Sequence, residues 1–70
     1  MEELTNQQQI VFDAIVEYIE KWGYSPTIRE LCELTGKNSP GTIHATLKIL
    51  KRKRYIDYTY NKNRTIRVVK

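Results

Sequence analysis

Apolar side chains recur over residues 6–22 at the spacing of an amphipathic helix. Before them, Thr5 and Gln8 have the three-residue spacing of a capping box, in which each side chain satisfies the other's free backbone N–H. The apolar stripe consists of Val11, Phe12, Ile15, Ile19 and Trp22. Gly23 can then end the helix in the left-handed conformation. The pattern therefore predicts a first helix over residues 6–22.

A second, shorter helical pattern follows the turn "YSPT". Thr27 and Glu30 repeat the capping-box spacing, and Gly36 can end the helix. The stripe that we expect to face the core consists of Ile28, Leu31 and Leu34. Cys32 lies beside this stripe and is predicted to be a small core residue. The second helix is thus about two turns long.

The third helical pattern begins where Ser39 is followed by Pro40, because proline fits the first helical position, whose N–H has no partner in the helix. Its apolar side consists of Ile43, Leu47 and Leu50. The other side of the helical wheel groups small and cationic residues: Gly41, His44, Ala45, Lys48 and Arg52. The spacing predicts a helix over about residues 40–53.

After the third helix the apolar period changes from 3.6 to 2 residues. One alternating segment has its apolar positions at Ile56, Tyr58 and Tyr60. A second follows the loop "NKNR" and has them at Ile66 and Val68. Two such segments predict a β-hairpin. Three helices and a hairpin predict an α+β fold, the winged helix-turn-helix, with one domain over residues 1–70.

Charge is distributed unevenly along the chain, which has 70 residues and a formal net charge of +4. Residues 1–20 contain five acids and no Lys or Arg, whereas residues 37–70 contain ten Lys or Arg against Asp57 alone. So basic a half indicates a polyanionic partner, nucleic acid, because surfaces that only confer solubility usually mix the two signs. No segment has the pattern of a signal peptide or the length of a membrane span. We therefore expect a cytoplasmic protein with no membrane partner.

The outward side of the third predicted helix has the composition of a recognition helix. Gly41 near the helix start costs about 0.5–1 kcal/mol relative to Ala, so a purely structural helix gains little from it. Small side chains allow a close approach to base edges, and longer cations can reach flanking phosphates. The predicted phosphate contacts are Lys48, Arg52, Lys53, Lys62 and Arg64. A basic helix end also complements the helix dipole, and His44 fits a surface role as well as a groove contact.

Other classes of function have less support in the sequence. His44 and Cys32 are expected on an exposed face and in the core, and neither a phosphate-cradling glycine loop nor metal-ligand spacing occurs. We therefore expect no enzyme activity, no cofactor and no small-molecule ligand. The main alternative is a winged-helix module that binds protein, through the acidic face of the first helix or through the tyrosines Tyr55, Tyr58 and Tyr60. A basic amphipathic helix on a membrane is a weaker alternative, because Phe12 and Trp22 belong to the acidic helix.

Five segments cover nearly the whole chain without gaps: "LTNQQQIVFDAI", "SPTIRELCELTG", "NSP", "LKILKRKRYI" and "RTIRV". Together they resemble the N-terminal DNA-binding domain of LexA-type repressors. The resemblance implies a bacterial or phage transcriptional repressor of the SOS response that reads a double-stranded operator through its third helix. It also implies a monomer in solution or a weak dimer on DNA. By this likeness the base-reading positions are Ser39, Gly41, Thr42, His44 and Ala45.

Three features depart from the pattern of that family. Its members commonly have Asn at the position of Gly41 and acids at those of His44 and Ala45, so the operator is not assumed to be the usual one. Arg54 stands where a glycine usually ends the helix. The protease domain, with its Ser/Lys dyad and cleavage site, is not within these 70 residues, so self-cleavage is not carried over. The sequence gives neither the operator nor the inducing signal, nor whether the chain is part of a longer repressor.

Overall fold

Three helices followed by a short antiparallel hairpin make up the computed structural model, which describes residues 3–36, 39–59 and 62–69. The helices are α1 (Asn6–Trp22), α2 (Ile28–Thr35) and α3 (Pro40–Arg52). The strands are β1 (Ile56–Asp57) and β2 (Arg67–Val68), with Ile56 opposite Val68 and Asp57 opposite Arg67. We name the segment from β1 to β2 the wing. This architecture confirms the predicted winged helix-turn-helix, with strands shorter than the alternation indicated; Tyr60 lies outside the described residues.

Side-chain capping determines where α1 and α2 begin. Thr5 Oγ1 accepts a hydrogen bond from the Gln8 N–H at 3.3 Å, while Gln8 Oε1 accepts one from the Thr5 N–H at 3.1 Å. Thr27 and Glu30 form the second reciprocal pair, at 3.1 and 2.9 Å. Both helices end at left-handed glycines, Gly23 and Gly36. These contacts confirm the predicted capping boxes and stop residues.

The end of α3 keeps the geometry of a glycine stop although an arginine occupies it. Arg54 has a φ of 69°, in the left-handed region that a non-glycine residue enters at a cost. Its N–H donates to Lys51 O at 3.0 Å, and the Tyr55 N–H donates to Leu50 O at 3.0 Å. These are the paired bonds of a Schellman motif. The departure noted in the sequence therefore changes the residue at the helix exit and not its conformation.

One apolar core joins the three helices to the wing. Its buried residues are Val11, Ile15, Leu31, Cys32, Ile43, Leu47, Leu50, Ile56 and Ile66. Leu47, at the centre of the apolar side of α3, has no exposed surface. Cys32 is 9% exposed, which confirms that it is a small core residue. The core fixes which side of α3 faces outward, because its inward side is fully covered.

Two residues that were predicted to face the core lie outside it. Trp22 is 52% exposed and Leu34 is 56% exposed. The inward face of α2 follows the spacing i, i+3, i+4, i+7 through Ile28, Leu31, Cys32 and Thr35. This face turns Leu34 toward solvent. Trp22 lies in the last turn of α1, where its ring packs on that of Tyr18 with centroids 6.2 Å apart. The predicted stripes were therefore wrong at these two positions.

Candidate nucleic-acid interface

The outward side of α3 presents small residues first and cations afterwards. Gly41, Ala45, Lys48 and Arg52 are exposed and follow the spacing i, i+4, i+7, i+11, which places them in one line along the helix. We name this line the α3 stripe. A helix of 13 residues is about 20 Å long and about 10–12 Å wide with its side chains. The major groove of B-DNA, about 12 Å wide, admits an element of that width.

The first turn of α3 holds three of the predicted base-reading residues. Ser39 is the N-cap, and its Oγ accepts a hydrogen bond from the Thr42 N–H at 3.4 Å. Ser39, Gly41 and Thr42 are all exposed. A Cβ added at Gly41 would meet only Ser39 Oγ, at an ordinary distance of 3.7 Å, and Gly41 does not have a positive φ. The fold itself therefore does not require glycine at this position.

His44 lies between the α3 stripe and the wing. It is half-buried, whereas Ala45 beside it is exposed. With Gly41, Ala45 and Lys48 it lines a shallow groove of about 280 Å³. It also lines a second groove of about 280 Å³, which extends across the wing to Lys62. Through these two grooves His44 connects Gly41 and Ala45 of α3 with Lys62 of the wing.

Among the five predicted phosphate contacts, three cations are exposed and have no ion pair within the part of the chain that the structure describes. Lys48, Arg52 and Lys62 are exposed, and their side chains make no hydrogen bond or ion pair with the residues that the structure describes. Lys53 differs because its Nζ donates to Glu3 O at 2.9 Å and to Gln8 Oε1 at 2.8 Å. It therefore ties the end of α3 to the start of α1.

Arg64, the fifth predicted phosphate contact, forms a two-pronged ion pair with Glu30 of α2. Its Nη1 and Nη2 donate to Glu30 Oε1 and Oε2, both at 3.1 Å. The Thr27 backbone N–H and then the Arg64 guanidinium lower the pKa of Glu30 to about 2. Hydrogen bonds to Tyr18 and to Glu30 raise the pKa of Arg64. The sequence did not indicate this pairing, because the partners are 34 positions apart.

Two further cations, Lys51 of α3 and Arg67 of β2, meet Asp57. Arg67 Nη2 donates to Asp57 Oδ2 across the two strands at 3.1 Å. Lys51 Nζ lies 3.6 Å from Asp57 Oδ1, donates to Tyr58 O at 2.9 Å and sits 4.8 Å from the centre of the Tyr58 ring. The hydrogen bond from Arg67, followed by that from the Tyr58 N–H, lowers the pKa of Asp57. These contacts hold the base of the wing.

Two residues beside the interface were missed in the sequence. Arg29 and Asn63 line a groove of about 650 Å³ that also reaches Pro40 at the start of α3. Arg29 follows Ile28 on the exposed side of α2, so a helical wheel would have placed it outward. Asn63 belongs to the wing loop, whose position no periodicity indicates. Arg29 adds a further exposed cation near the α3 stripe.

Neither a metal cluster nor a membrane-spanning helix is found in the part of the chain that the structure describes. Within residues 3–36, 39–59 and 62–69, no three His, Cys, Asp or Glu side chains come together as a metal site would require. None of the helices in those ranges combines the length and the apolar character needed to cross a bilayer.

The architecture and the outward α3 stripe place the molecule in the class of winged helix-turn-helix domains. The family model for the LexA DNA binding domain matches residues 1–65. The chain belongs to this family, which confirms the resemblance seen in the sequence.

Curated relatives agree with this assignment. The chain is 51% identical over 70 residues to the LexA repressor of Desulfatibacillum aliphaticivorans, covering 100% of the chain and 34% of that relative. It is 38% identical over 69 residues to the transcription regulator LexA of a Synechocystis species, covering 99% of the chain and 34% of the relative. It is 38% identical over 66 residues to the LexA repressor of Carboxydothermus hydrogenoformans, covering 94% and 32%. The chain thus spans about a third of the length of the curated relatives that it matches.

Proposed function

We propose that this chain binds double-stranded DNA in a sequence-specific manner, with the first turns of α3 in the major groove and the wing against the adjacent backbone. It would serve as the DNA-reading part of a cytoplasmic transcriptional repressor, as the names of its relatives suggest. A role in the SOS response belongs to the same proposal. No catalytic role is proposed, because the matched third of the relatives is their DNA-binding domain.

The α3 stripe is the observation that carries this proposal. Its small members, Gly41 and Ala45, come first, and its cations follow one and two turns later. Base edges are read by groups that come within hydrogen-bonding or van der Waals distance, while phosphates flank the groove and attract longer cations. The free N–H groups at the start of α3 add partial positive charge at the same end. No structural need for Gly41 competes with this explanation.

Base reading is assigned to Ser39, Gly41, Thr42, His44 and Ala45, the set that the family resemblance implied. Phosphate contact is assigned to Lys48, Arg52 and Lys62, whose side chains are exposed and unpaired within the described ranges. Phosphate contact by Lys53 and Arg64 stays a prediction. Either side chain would first have to leave the oxygen atoms that it already meets.

Selection of bound sequences from a random duplex pool tests the proposal and supplies the operator. Ala45 offers only a methyl group, so the base that it faces is read by apolar contact, most naturally with a thymine methyl. Ala45→Glu should weaken the selected site and favour a cytosine amino group at the facing position. Wild type and variant are then compared on single-base-substituted duplexes at fixed salt. Identical relative preferences would mean that α3 does not read bases through this face.

His44→Ala distinguishes the two roles that remain open for His44. If His44 reads a base, preference should relax at one or two adjacent base pairs by about 1–3 kcal/mol. If it contacts phosphate, all duplexes should weaken together. Ala45→Glu, in the same helix turn, is measured on the same duplexes for comparison.

A protein-binding module is the alternative function. Tyr55 and Tyr58 are half-buried and pack against the core, and Phe12 meets the Tyr55 ring edge-on at 5.3 Å. They therefore offer little surface to a partner. This alternative would be favoured if the affinity for duplex DNA did not depend on salt and if no sequence were enriched from the duplex pool. Sedimentation of the free chain and of its duplex complex tests the proposed monomer and the weak dimer on DNA.

A further inference from the structure

A single wing side chain contacts both of the first two helices and the loop between them. Besides the two bonds to Glu30, Arg64 Nη1 lies 3.0 Å from Ser25 O and 3.3 Å from Tyr18 Oη. The guanidinium carbon is 4.9 Å from the centre of the Tyr24 ring. Tyr18 Oη in turn donates to Glu30 Oε2 at 3.0 Å. We name these five residues the wing bracket.

The wing has a second attachment two residues after Arg64. The Ile66 N–H donates to Ser25 Oγ at 3.0 Å, and Ser25 Oγ donates to Pro26 O at 3.0 Å. Ser25 is 6% exposed and Ile66 is 8% exposed, so this attachment is shielded from water. Arg64 and Ile66 thus both attach the wing to the loop between α1 and α2. Two attachment points fix the distance of the wing from that loop and its direction relative to it.

The backbone of Arg64 also indicates that its side chain is needed where it is. Its φ is 56°, a left-handed conformation that disfavours residues with a Cβ. Glycine would suit this backbone better but would make none of the contacts of the wing bracket. Lys62, which is exposed, lies two positions earlier in the same loop and lines the groove shared with His44. The bracket therefore orients the part of the wing that faces the α3 stripe.

We propose that Arg64 is a positioning residue for DNA binding: with Glu30 it holds the wing at a fixed angle to α3 instead of contacting phosphate itself. The inference rests on the proposed function. Moving Arg64 onto a phosphate would break the two-pronged pair and leave the Glu30 carboxylate unpaired beside a polyanion. Both consequences oppose such a movement, whereas Lys62 reaches outward with no partner to leave among the described residues.

Glu30→Gln gives opposite expectations for the two roles. Glutamine can keep the capping box at this helix position. It removes the charge that pairs with Arg64 and replaces the oxygen that accepts from Arg64 Nη2 and Tyr18 Oη with an amide donor. If Arg64 contacts phosphate, removing a nearby negative charge should tighten binding to every duplex. If Arg64 positions the wing, Glu30→Gln should weaken binding to the selected duplex by roughly 3–10-fold, the size of a coupling between contacting residues. The sign of the change therefore decides between the roles.

Arg64 variants and salt titrations complete the experiment. Arg64→Ala should weaken binding without changing the slope of log K against log salt, and the double variant with Glu30→Gln should bind no worse than the weaker single variant. Arg64→Lys keeps the charge but loses the two-pronged geometry, so it should also weaken binding. Lys21→Ala, which removes an equal charge from the exposed last turn of α1, is the matched control. All titrations are made below the unfolding transition of each variant.

The proposal is overturned if Glu30→Gln binds as tightly as wild type or more tightly. It is also overturned if Arg64→Ala makes the slope shallower by about 0.9, the value for one lost phosphate contact. The proposal is likewise overturned if the losses of affinity in Arg64→Ala and Glu30→Gln add fully in the double variant. Failure of the proposed function looks different, because wild type itself would then select no duplex.

Discussion

The outer side of α3 and the wing are both basic, yet they use their cations in different ways. Lys48 and Arg52 of the α3 stripe meet no acid among the described residues, whereas Arg64 and Arg67 of the wing each meet a carboxylate at 3.1 Å. The two cations of the α3 stripe sit on long side chains that can still move toward a partner. In the wing, Arg64 and Arg67 are already paired within the protein, and Lys62 is the exception. The α3 stripe therefore carries mobile positive charge, whereas the paired arginines of the wing hold the wing in place.

The cause of this difference is the placement of two acids. Asp57 lies within the wing, and Glu30 comes from α2, in a part of the chain whose charges balance. No acid occupies the α3 stripe. A charge count over residues 37–70 treats all cations alike, but DNA affinity depends on those whose donors remain available. The net charge of a segment therefore indicates the class of partner without identifying the residues that contact it.

Leu47→Ala should remove both regions at once, because Leu47 is fully buried beneath α3 and lines the groove toward the wing. The loss is expected to be about 2–5 kcal/mol, against a total stability of roughly 4–10 kcal/mol for a domain of this size. Leu34→Ala is the matched control, since Leu34 is 56% exposed and should change stability by no more than about 0.5 kcal/mol. Denaturant unfolding measures both. Equal stabilities for the two variants would contradict the observed helical phases.

Salt titration separates the two sets of cations. Three phosphate contacts, by Lys48, Arg52 and Lys62, give an expected slope of log K against log salt of about −3 per domain. All five cations predicted from the sequence would give about −4.5. Lys48→Ala should make the slope shallower by about 0.9, while Arg67→Ala should leave it unchanged. Equal changes in the two variants would remove the distinction between the unpaired cations and those paired with a carboxylate.

Local sequence was sufficient for the elements and for the outer side of α3. Capping boxes act between residues three positions apart, as in Thr5 with Gln8, so their chemistry is visible in a linear reading. Helical periodicity likewise placed Ala45 outward and Leu47 inward. The errors at Trp22 and Leu34 have a physical cause: a helical wheel gives the face of a helix but not the extent of its neighbours. Both residues line one shallow groove, which no other element among the described residues covers.

The contacts that attach the wing to the helices could not be predicted from the sequence. Arg64 meets Glu30 across 34 positions, and Lys53 meets Glu3 across 50. Such pairs form only when the core has brought the helices and the hairpin together. A basic loop after a recognition helix reads equally well as a phosphate contact or as an internal ion pair. The choice depends on whether a carboxylate from another element lies within reach.

Acid should weaken the attachment of the wing, because that attachment depends on a carboxylate. The α3 stripe has no carboxylate, so acid should not act on it in this way. The pKa of Glu30 is about 2, below its ordinary value of 4.5. The hydrogen bond from the Thr27 backbone N–H and then the pair with Arg64 favour the charged carboxylate. Their stabilising effect is thus fully present above pH 4.5 and is lost as the pH falls toward 2. Asp57, whose pKa is lowered by Arg67, contributes in the same direction.

Thermal unfolding across this pH range measures the acid effect. Glu30→Gln should be less stable than wild type at neutral pH, and the difference should shrink as the pH falls below 4.5. Asp57→Asn removes the second carboxylate and tests its contribution in the same way. Wild-type and Glu30→Gln melting temperatures that stay parallel down to pH 2 would mean that the ion pair adds no stability.

Gly41→Ala should separate fold stability from partner binding within the α3 stripe. The added Cβ meets only Ser39 Oγ at 3.7 Å, and alanine should stabilise the helix by about 0.5–1 kcal/mol. Gly36→Ala is the matched control, because Gly36 has a φ of 73° and the same added methyl group should destabilise the protein. In the selected duplex, the methyl group at position 41 takes up space at the point of closest approach, so affinity should fall while stability rises. Denaturant unfolding and duplex titration are measured on the same samples. A Gly41→Ala variant that is more stable and binds the selected duplex with unchanged affinity and preference would show that the start of α3 stays clear of the bases, and recognition would then have to come from the rest of the stripe.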